Sequence, residues 1–284
     1  MKVQKSFKHD KSSLYLVGTP IGNLGDMSPR AIETLKSVDI IAAEDTRHTK
    51  KLCHYFEITT PLTSYHEHNK LSKGEYILQL LMSGKEVALV SDAGLPCISD
   101  PGYEIVQTVI ENGYAVVPIP GANAAISALI ASGLLPQPFT FFGFLNREKK
   151  KKKTELEELK NQKYTLIFYE SPHRIKDTLT TMVEILGDRN IVIARELTKQ
   201  YEEFIRGPIS EIITFSNELR GEMVLLVEGN QEQQIEEVWW QNLEVIQHIE
   251  HYLAEGHSTN YSIKKVAKER GLAKNEVYRV YHIN

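Results

Sequence analysis

The chain has 284 residues, of which 42% are hydrophobic and 25% charged, and a formal net charge of −4. This composition is typical of a globular protein of one or two domains, and the negative charge argues against a protein that coats nucleic acid with its whole surface. No apolar run reaches the roughly 18 residues of a membrane span, and the first residues lack an apolar signal region. The only two cysteines, Cys53 and Cys97, suggest no disulfide framework. We therefore expect a cytoplasmic protein.

Three short apolar runs in the first half of the chain each end in a loop of small residues. Residues 14–17 precede GTPIGN, residues 87–90 precede SDAGLP, and residues 116–119 precede PGANA. Apolar runs of this length before a glycine turn and a helical pattern predict parallel strands. In open α/β sheets the ligand binds beyond the carboxyl ends of the strands, so the three loops are expected to line one cleft.

The composition of these loops restricts the ligand. They contain no Lys or Arg, and the chain has no GxxxxGK[ST] motif of the kind that cradles phosphates. Their glycines allow the backbone to approach a ligand closely. The loops therefore predict a ligand held by backbone and small polar groups, and not a polyphosphate.

Helices are predicted between and after these strands. Ser28 and Pro29 form an N-cap followed by the proline favoured at the first helical position. Further helices are predicted near 74–83, from Tyr103 and over 124–132, and a strand over 40–42.

The alternation of strands and helices resumes after residue 160. Strands are predicted over 164–169, 191–194, near 203–205 and over 223–227, and helices from Ser171-Pro172 and over 208–219. Between the two halves, an apolar segment, the lysine run 149–153 and a Glu-rich helix predict a crossing between lobes. The whole pattern predicts an α/β protein with a flexible N-terminus (1–12), a first lobe (13–138), an inter-lobe linker and helix (139–160), a second lobe (161–230) and a helical tail (231–284).

The tail changes charge along its length. Residues 231–260 carry six Glu and no Lys or Arg, whereas residues 261–284 carry six Lys or Arg and two Glu. Ala267, Gly271 and Val277 have the spacing of a helix-turn-helix. A plain helical hairpin explains that spacing equally well, but the basic excess favours contact with a polyanion.

Several clusters of polar residues follow the predicted strands. Glu44 follows a glycine-rich turn by roughly 20 residues, the position at which a Glu binds a ribose hydroxyl in dinucleotide-binding proteins, although the glycines here do not have the GxGxxG spacing. The alternative is that Glu44 and Asp45 form a surface charge pair beside an N-capping Thr46. Ser171 is expected to cap a helix, with Glu170 and Arg174 towards the cleft, and Arg195-Glu196 occupies the same kind of position one strand later. His66 and His68 have an HxH spacing that is found among zinc ligands, but no third ligand follows at suitable spacing, so no metal site is predicted.

Seven segments, taken together and in order, carry a specific resemblance. They are GTPIGNLGDMSPRA, AAEDTRHT, SYHEHN, SDAGLPCISDPG, FYESPHR, ARELTK and GEMVLLVEG. Their combination resembles the bacterial ribosomal RNA small-subunit methyltransferase I family, which has the tetrapyrrole-methylase-like fold. The resemblance runs from about Leu14 to Gly229, and the helical tail is also similar. Leu95 and Ala122 depart from the family pattern, which commonly has Thr and Pro at these positions.

The resemblance implies a two-lobed α/β enzyme, usually a homodimer, with S-adenosylmethionine (SAM) bound between the lobes. It implies methyl transfer to the ribose 2′-oxygen of a cytidine in the decoding region of small-subunit (16S) rRNA, without a metal. By position, the residues expected to approach SAM are Ile21, Ser91, Asp92, Ala93, Gly94, Ile98, Asn123, Ala124, Tyr169 and Met223.

Methylating a hydroxyl is helped by a base within hydrogen-bond reach, although alignment of the reacting atoms alone can supply much of the rate. The candidate bases are Glu44, Asp45, Glu170 and Glu196, and the candidates for binding RNA are Arg47, Arg174, Arg195, Lys264, Lys265 and Lys274. Two alternatives stay open. A small-molecule methylase acting on a tetrapyrrole would share the fold, but the chain lacks the GxGxGD form of the first loop. A non-catalytic nucleic-acid-binding protein would use only the tail.

Overall fold

The computed structural model describes residues 3–6, 11–231 and 239–282. Residues 1–230 form one compact unit and residues 231–284 form a second. None of the described helices is long and apolar enough to cross a membrane.

The first lobe of the larger unit is built on a five-stranded parallel sheet. Its strands lie in the order β3-β2-β4-β1-β5 and are β1 (Ser13–Val17), β2 (Ile40–Ala43), β3 (Leu62–Ser64), β4 (Val87–Val90) and β5 (Ala115–Ile119). Because β4, β1 and β5 are neighbours, the three small-residue loops lie side by side, as predicted. A backbone bridge between Thr19 and Gly94 joins two of these loops.

The helices after these strands are α1 (Pro29–Ser37), α2 (Thr46–Tyr55), α3 (Lys70–Met82), α4 (Tyr103–Glu111) and α5 (Ala124–Ser132). Ser28 caps α1 as predicted, because its Oγ accepts from the Ala31 amide at 3.1 Å. The residue that caps α2 is Asp45 and not Thr46, since the Asp45 side chain accepts from the Arg47 amide at 2.8 Å. Apolar cores cover both faces of the sheet.

The second lobe has a mixed sheet in the order β6-β7-β10-β8-β9. Its strands β6 and β7 are parallel and the other pairs antiparallel. The elements of this lobe are β6 (Phe139–Phe144), α6 (Lys149–Leu159), β7 (Thr165–Glu170), α7 (Ile175–Leu186), β8 (Asn190–Arg195), β9 (Glu203–Pro208), α8 (Ile209–Ile213) and β10 (Met223–Val227). Helix α5 follows β5 in the chain but packs against this second sheet, where Ala125, Ala128 and Leu129 join its buried apolar residues.

Three local predictions need correction. The apolar part of the segment expected to cross between the lobes is β6, an edge strand of the second sheet, whereas the Glu-rich part is the predicted helix, α6, with residues 152, 156 and 159 buried at helical spacing. Ser171 does not cap α7, which begins at Ile175 after a turn in which the Ser171 carbonyl accepts from the amides of Arg174 and Ile175. The helix predicted over 208–219 is only α8 and a separate 3-10 turn, Ser216–Glu218.

The second unit contains the helices α9 (Val245–Ala254), α10 (Thr259–Arg270) and α11 (Lys274–His282). Ile249, Ile263, Val266, Ala267 and Val277 form its buried core. Gly271 ends α10 in the left-handed conformation, with φ of +65°. The three residues of the predicted helix-turn-helix spacing thus occupy two core positions and the turn between α10 and α11.

Candidate active site

A cavity of about 380 Å³ is lined by residues of both lobes and is called the first cavity below. The loops after β1, β4 and β5 supply one wall. The ends of β6, β7 and β8 with the residues that follow, and the start of β10 with the residue before it, supply the other. The lining residues are Ile21, Ala93, Gly94, Leu95, Ile98, Ser99, Asp100, Asn123, Ala124, Phe144, Tyr169, Glu170, Ser171, Pro172, Ala194, Leu197, Glu222, Met223 and Val224.

Small residues allow the loops of the first lobe to meet. A Cβ atom on Gly18 would lie 2.8 Å from the Gly121 Cα, and one on Gly121 would lie 2.8 Å from the Gly18 Cα, so neither position has room for a side chain. Gly94 has φ of +79°, a conformation that favours glycine. Asn123 caps α5 by accepting from the Ile126 amide at 2.9 Å. The loops after β1 and β5 are therefore held in direct contact at the wall of the first cavity.

Eight of the ten residues expected to approach SAM line the first cavity, namely Ile21, Ala93, Gly94, Ile98, Asn123, Ala124, Tyr169 and Met223. The other two lie behind its wall. The buried Ser91 hydroxyl lies 3.3 Å from the Ala93 carbonyl oxygen, to which it donates. The Asp92 carboxylate accepts from the Asp45 amide at 3.0 Å and so links the loops after β2 and β4. Ser91 and Asp92 therefore shape the loops and do not line the first cavity.

Asp100 is an acidic lining residue that the sequence predictions missed. Burial raises its pKa to about 7, and the charges of Glu44 and Asp92 act in the same direction, against a hydrogen bond from Ser91 that lowers it. The motif SDAGLPCISDPG contains this residue, but its last four letters predict only a turn. The proximity of Glu44, which follows a different strand, could not be read from the sequence.

The charge of the first cavity is acidic. Asp100, Glu170 and Glu222 are among its lining residues, and no Lys or Arg is among those lining residues that the structure describes. Two of the acids have cationic partners outside the lining, because Glu222 is paired with Lys199 at 2.9 Å and Glu170 lies 3.5 Å from Arg174. The remaining lining is largely apolar, with Asn123 and backbone groups as polar contacts. Such a cavity suits a ligand that combines apolar surface with positive charge, as SAM does with its sulfonium and ammonium groups.

Glu170 is held within the wall of the first cavity. Its side chain is 1% exposed, and its two oxygens accept from the Thr178 hydroxyl at 2.6 Å and the Ser171 amide at 2.8 Å. Arg174 lies 3.5 Å from the same carboxylate and donates to the Leu145 carbonyl at 2.7 Å. These bonds favour a structural position for both Glu170 and Arg174.

Glu196 and Arg195 are also engaged in contacts within the second lobe. Glu196 lies 3.1 Å from the Lys199 ammonium and accepts from the Glu222 amide, also at 3.1 Å. Arg195 is paired with Glu203. Neither Glu196 nor Arg195 is among the residues that line the first cavity.

Glu44, Asp45 and Arg47 line a second cavity, of about 320 Å³, at the ends of β2 and β3. Its other lining residues are Thr46, Ser64, His66 and His68. Asp45 and Arg47 form a two-point ion pair, with distances of 3.1 and 2.7 Å, and this contact holds the pKa of Asp45 well below its usual range. Burial and then the Asp92 charge raise the pKa of Glu44. Within the described residues, no group of three acidic, His or Cys side chains is placed to hold a metal ion.

The tail lysines lie in the second unit. Lys264 on α10 and Lys274 at the start of α11 are exposed. Lys265 is paired with Glu269 at 3.1 Å, one helical turn away. Lys264 and Lys274 are therefore the better placed of the three to meet a polyanion.

Comparison with known proteins shows the fold. The profile of the tetrapyrrole (corrin/porphyrin) methylases matches residues 13–213. The uroporphyrin-III-C-methyltransferase of Thermus thermophilus is 17% identical, with a TM-score of 0.57 over 77% of this chain and 94% of that one. A diphthine synthase structure is 13% identical, with a TM-score of 0.59 over 76% of this chain and 90% of the other. At these identities the two structures are informative about architecture alone.

Relatives of much higher identity show the family. The ribosomal RNA small subunit methyltransferase I of Bacillus subtilis (strain 168) is 61% identical over 100% of this chain and 99% of its own length. The protein of the same name from Streptococcus pyogenes serotype M1 is 48% identical over 99% of each chain. The resemblance carried by the seven segments is thereby confirmed. The chain belongs to the ribosomal RNA small subunit methyltransferase I family of the tetrapyrrole methylases, and its methyl donor is S-adenosylmethionine.

Proposed function

We propose that this chain transfers the methyl group of SAM to the ribose 2′-oxygen of a cytidine in the decoding region of 16S rRNA. The observation that carries the proposal is the first cavity, whose lining contains acidic residues and, among the described residues, no Lys or Arg. A second polar cavity lies beside it, at the carboxyl ends of the strands of the same sheet. Support for rRNA as the substrate comes from full-length relatives that carry the name ribosomal RNA small subunit methyltransferase I.

The residues that would hold SAM are the eight expected ones that line the first cavity. Gly94 and Ala93 offer backbone groups, Asn123 an amide, and Ile21, Ile98, Ala124, Tyr169 and Met223 apolar surface. When bound there, SAM supplies an electrophilic methyl group on a positively charged sulfur. Burial raises the pKa of the Tyr169 hydroxyl, which therefore stays neutral and can act as a hydrogen-bond donor.

Asp100 is the carboxylate that we propose as the general base for the 2′-hydroxyl. It lines the first cavity, while Asp45 is neutralised by Arg47, Glu170 is saturated by hydrogen bonds, and Glu196 is paired with Lys199. A base is most effective when its pKa lies near the working pH, and the pKa of Asp100 is raised to about 7. Glu44, half-buried with a raised pKa, is the second candidate because it is close enough to Asp100 to shift its pKa.

The rRNA would contact the protein outside the first cavity. We propose that the exposed Lys264 and Lys274 meet its phosphates, since exposed cations at the surface of a domain supply most of the non-specific affinity for nucleic acid. A single-stranded or splayed segment is the natural substrate, because a 2′-oxygen must enter a cavity between the lobes. A substrate of this kind would place the enzyme in the cytoplasm.

We further propose a homodimer, as is usual in the family. Helix α5 and the segment after it carry three exposed apolar side chains, with Ile126 43%, Ile130 78% and Leu135 62% exposed. Clustered exposed apolar residues are typical of surfaces that another protein covers. The symmetric self-association of identical chains is the commonest way of covering such a surface.

Methyl transfer from labelled SAM to small ribosomal subunits tests the function, with subunits from a strain that lacks the gene and with the modified nucleotide mapped. We expect one labelled cytidine whose ribose carries the methyl group. Label on a base, on uridine or on no nucleotide would contradict the proposal. A porphyrin or corrin precursor serves as the control acceptor, because methylation of it would favour the tetrapyrrole alternative.

A further inference from the structure

The second cavity lies, like the first, at the carboxyl ends of the parallel strands of the first sheet. It is formed where β2 and β3 end, and the strand order β3-β2-β4-β1-β5 places β2 next to β4, whose loop lines the first cavity. The Asp45 amide donates to the Asp92 carboxylate at 3.0 Å and joins the two loops. The cavities are therefore neighbours, with Glu44 lining the second and close enough to Asp100 in the first to raise its pKa.

The hydrogen-bond pattern around His66 determines where its ring carries a proton. The His66 amide donates to Asn69 Oδ1 at 2.8 Å, which fixes the orientation of the Asn69 side chain. Asn69 Nδ2 must then be the donor to His66 Nε2, at 3.2 Å, and it lies 3.1 Å from the Ser64 hydroxyl. Since Nε2 of His66 accepts, the neutral ring carries its proton on Nδ1.

The Nδ1 atom of His66 is buried and, within the described chain, has no hydrogen-bond partner. A buried donor without a partner costs roughly 1–3 kcal/mol, so such groups in native proteins call for an explanation, and a bound ligand is one. His66 is a lining residue of the second cavity, and a ligand that reaches its Nδ1 atom there must present an acceptor.

The charges of the second cavity disfavour a phosphate as that acceptor. Arg47 is compensated by its two contacts with Asp45, which leaves the Glu44 carboxylate as the uncompensated charge among the lining residues. A dianionic phosphate would be repelled by Glu44. A neutral heteroaromatic ring with an amino group beside an acceptor atom would satisfy both Glu44 and His66, and the nucleobases that carry an amino group have this pattern.

We propose that the second cavity binds the base of the acceptor nucleotide, with the His66 Nδ1–H donating to the base and the Glu44 carboxylate accepting from its exocyclic amino group. This inference rests on the proposed function, which supplies an RNA acceptor. Cytosine presents an amino group next to a ring acceptor, whereas uracil presents a carbonyl oxygen where cytosine has the amine. The pair Glu44 and His66 would therefore select cytosine over uracil.

The test compares His66→Leu, His66→Asn and a control, His54→Leu, which changes an exposed histidine of α2 outside the second cavity. Asn can place an N–H near the position of Nδ1, whereas Leu cannot. In steady-state methylation of small subunits, we expect His66→Leu to raise KM for the subunit about tenfold, the effect of about 1.4 kcal/mol. We expect His66→Asn to recover part of this loss and His54→Leu to match the parent. The SAM affinity of all three, measured by calorimetry, should be unchanged.

A binding measurement separates the subsite from the reaction. Saturation-transfer NMR with cytidine, uridine and ribose 5-phosphate, on the parent and on His66→Leu, should show a cytidine signal that depends on His66. Equal KM values for all variants, with the parent active, would overturn the subsite. Binding of ribose 5-phosphate that requires His66 would identify a phosphate site and would also overturn it. A parent that binds cytidine through His66 but methylates no rRNA would retain the subsite and refute the proposed function.

Discussion

Lys152 donates a hydrogen bond to Thr178, with 3.0 Å between Nζ and Oγ1, and Thr178 in turn donates to Glu170 at 2.6 Å. The Lys152 side chain is only 1% exposed, although it belongs to a run of five lysines, and its second partner is Asp177 at 2.7 Å. One lysine of the run is thus buried, and through Thr178 it supports Glu170, which lines the first cavity.

The first prediction concerns this buried lysine. Lys152→Met should lower the free energy of unfolding by roughly 1–3 kcal/mol, because the Thr178 hydroxyl oxygen loses the buried donor from which it accepts and Asp177 loses its ion-pair partner. The loss should stay below that of a fully buried ion pair, since the Asp177 side chain is 56% exposed and can be hydrated. Urea unfolding followed by circular dichroism measures the change. Lys150→Met, at an exposed neighbouring position, should change stability by no more than about 0.5 kcal/mol. Equal effects of the two substitutions would contradict the role of Lys152.

The second prediction separates the SAM site from backbone strain. Gly94→Ala places a side chain at φ of +79° in the wall of the first cavity, and Gly84→Ala does so at φ of +85° in open space. Both should cost similar stability, roughly 1 kcal/mol, but only Gly94→Ala should weaken SAM binding. Calorimetric titration of SAM into each folded variant makes the comparison. Matching affinities would remove Gly94 from the SAM site.

The third prediction is a pH dependence of methyl transfer. The pKa of Asp100 is raised to about 7, and only its ionised form can accept a proton. The rate at saturating SAM should therefore increase as the pH rises through 7 and level off above it. Asp100→Asn should lower the rate by roughly 10²–10⁴-fold, as the loss of a general base does, and abolish this dependence. The rate and pH profile of Glu44→Gln are measured as the matched comparison, because Glu44 is the second candidate for the general base. If Asp100→Asn retained the parent's pH profile, the base would be elsewhere or alignment of the reacting atoms alone would suffice.

The fourth prediction concerns the exposed apolar surface at α5. Ile130→Glu should convert a dimer into monomers, because a carboxylate would be buried in the interface at a cost of several kcal/mol. Light scattering coupled to size-exclusion chromatography gives the mass directly. Met82→Glu on α3 introduces the same charge at a position that is 65% exposed and should leave the mass unchanged. A parent of monomeric mass would refute the homodimer itself.

The fifth prediction assigns the tail to RNA affinity. Lys264→Glu combined with Lys274→Glu should flatten the plot of log affinity against log salt by roughly 0.7–0.9 for each phosphate that the protein no longer neutralises, with SAM affinity unchanged. Lys36→Glu, at an exposed site on α1, tests for a general effect of charge. If the double variant and Lys36→Glu gave the same salt dependence as the parent, the tail would have only a structural role.

The predictable parts of the fold are those with a strong local signal. Strands β1, β4, β5 and β10 and helix α5 are continuous apolar segments bounded by turns, and the sequence predicts them to within one residue. The sequence does not predict strand β3, because it is three residues long, and it suggests only the start of α2 and not its extent, because most of the side chains of α2 are polar. The sequence does not predict the role of Asp100 for another reason. Its raised pKa depends on Glu44 and Asp92, and the approach of Glu44 is created by neighbouring strands that are distant in sequence.

Helix α5 belongs by sequence to the first lobe but buries Ala125, Ala128 and Leu129 against the sheet of the second. Moving the lobes apart would expose these side chains to water, at about 25 cal/mol for each Å² of apolar surface. A hinge between the lobes is therefore costly, and the two should behave as one rigid body. Entry of ligands should then depend on motion of the loops after β1 and β4, and a fragment ending before residue 139 should aggregate instead of folding alone.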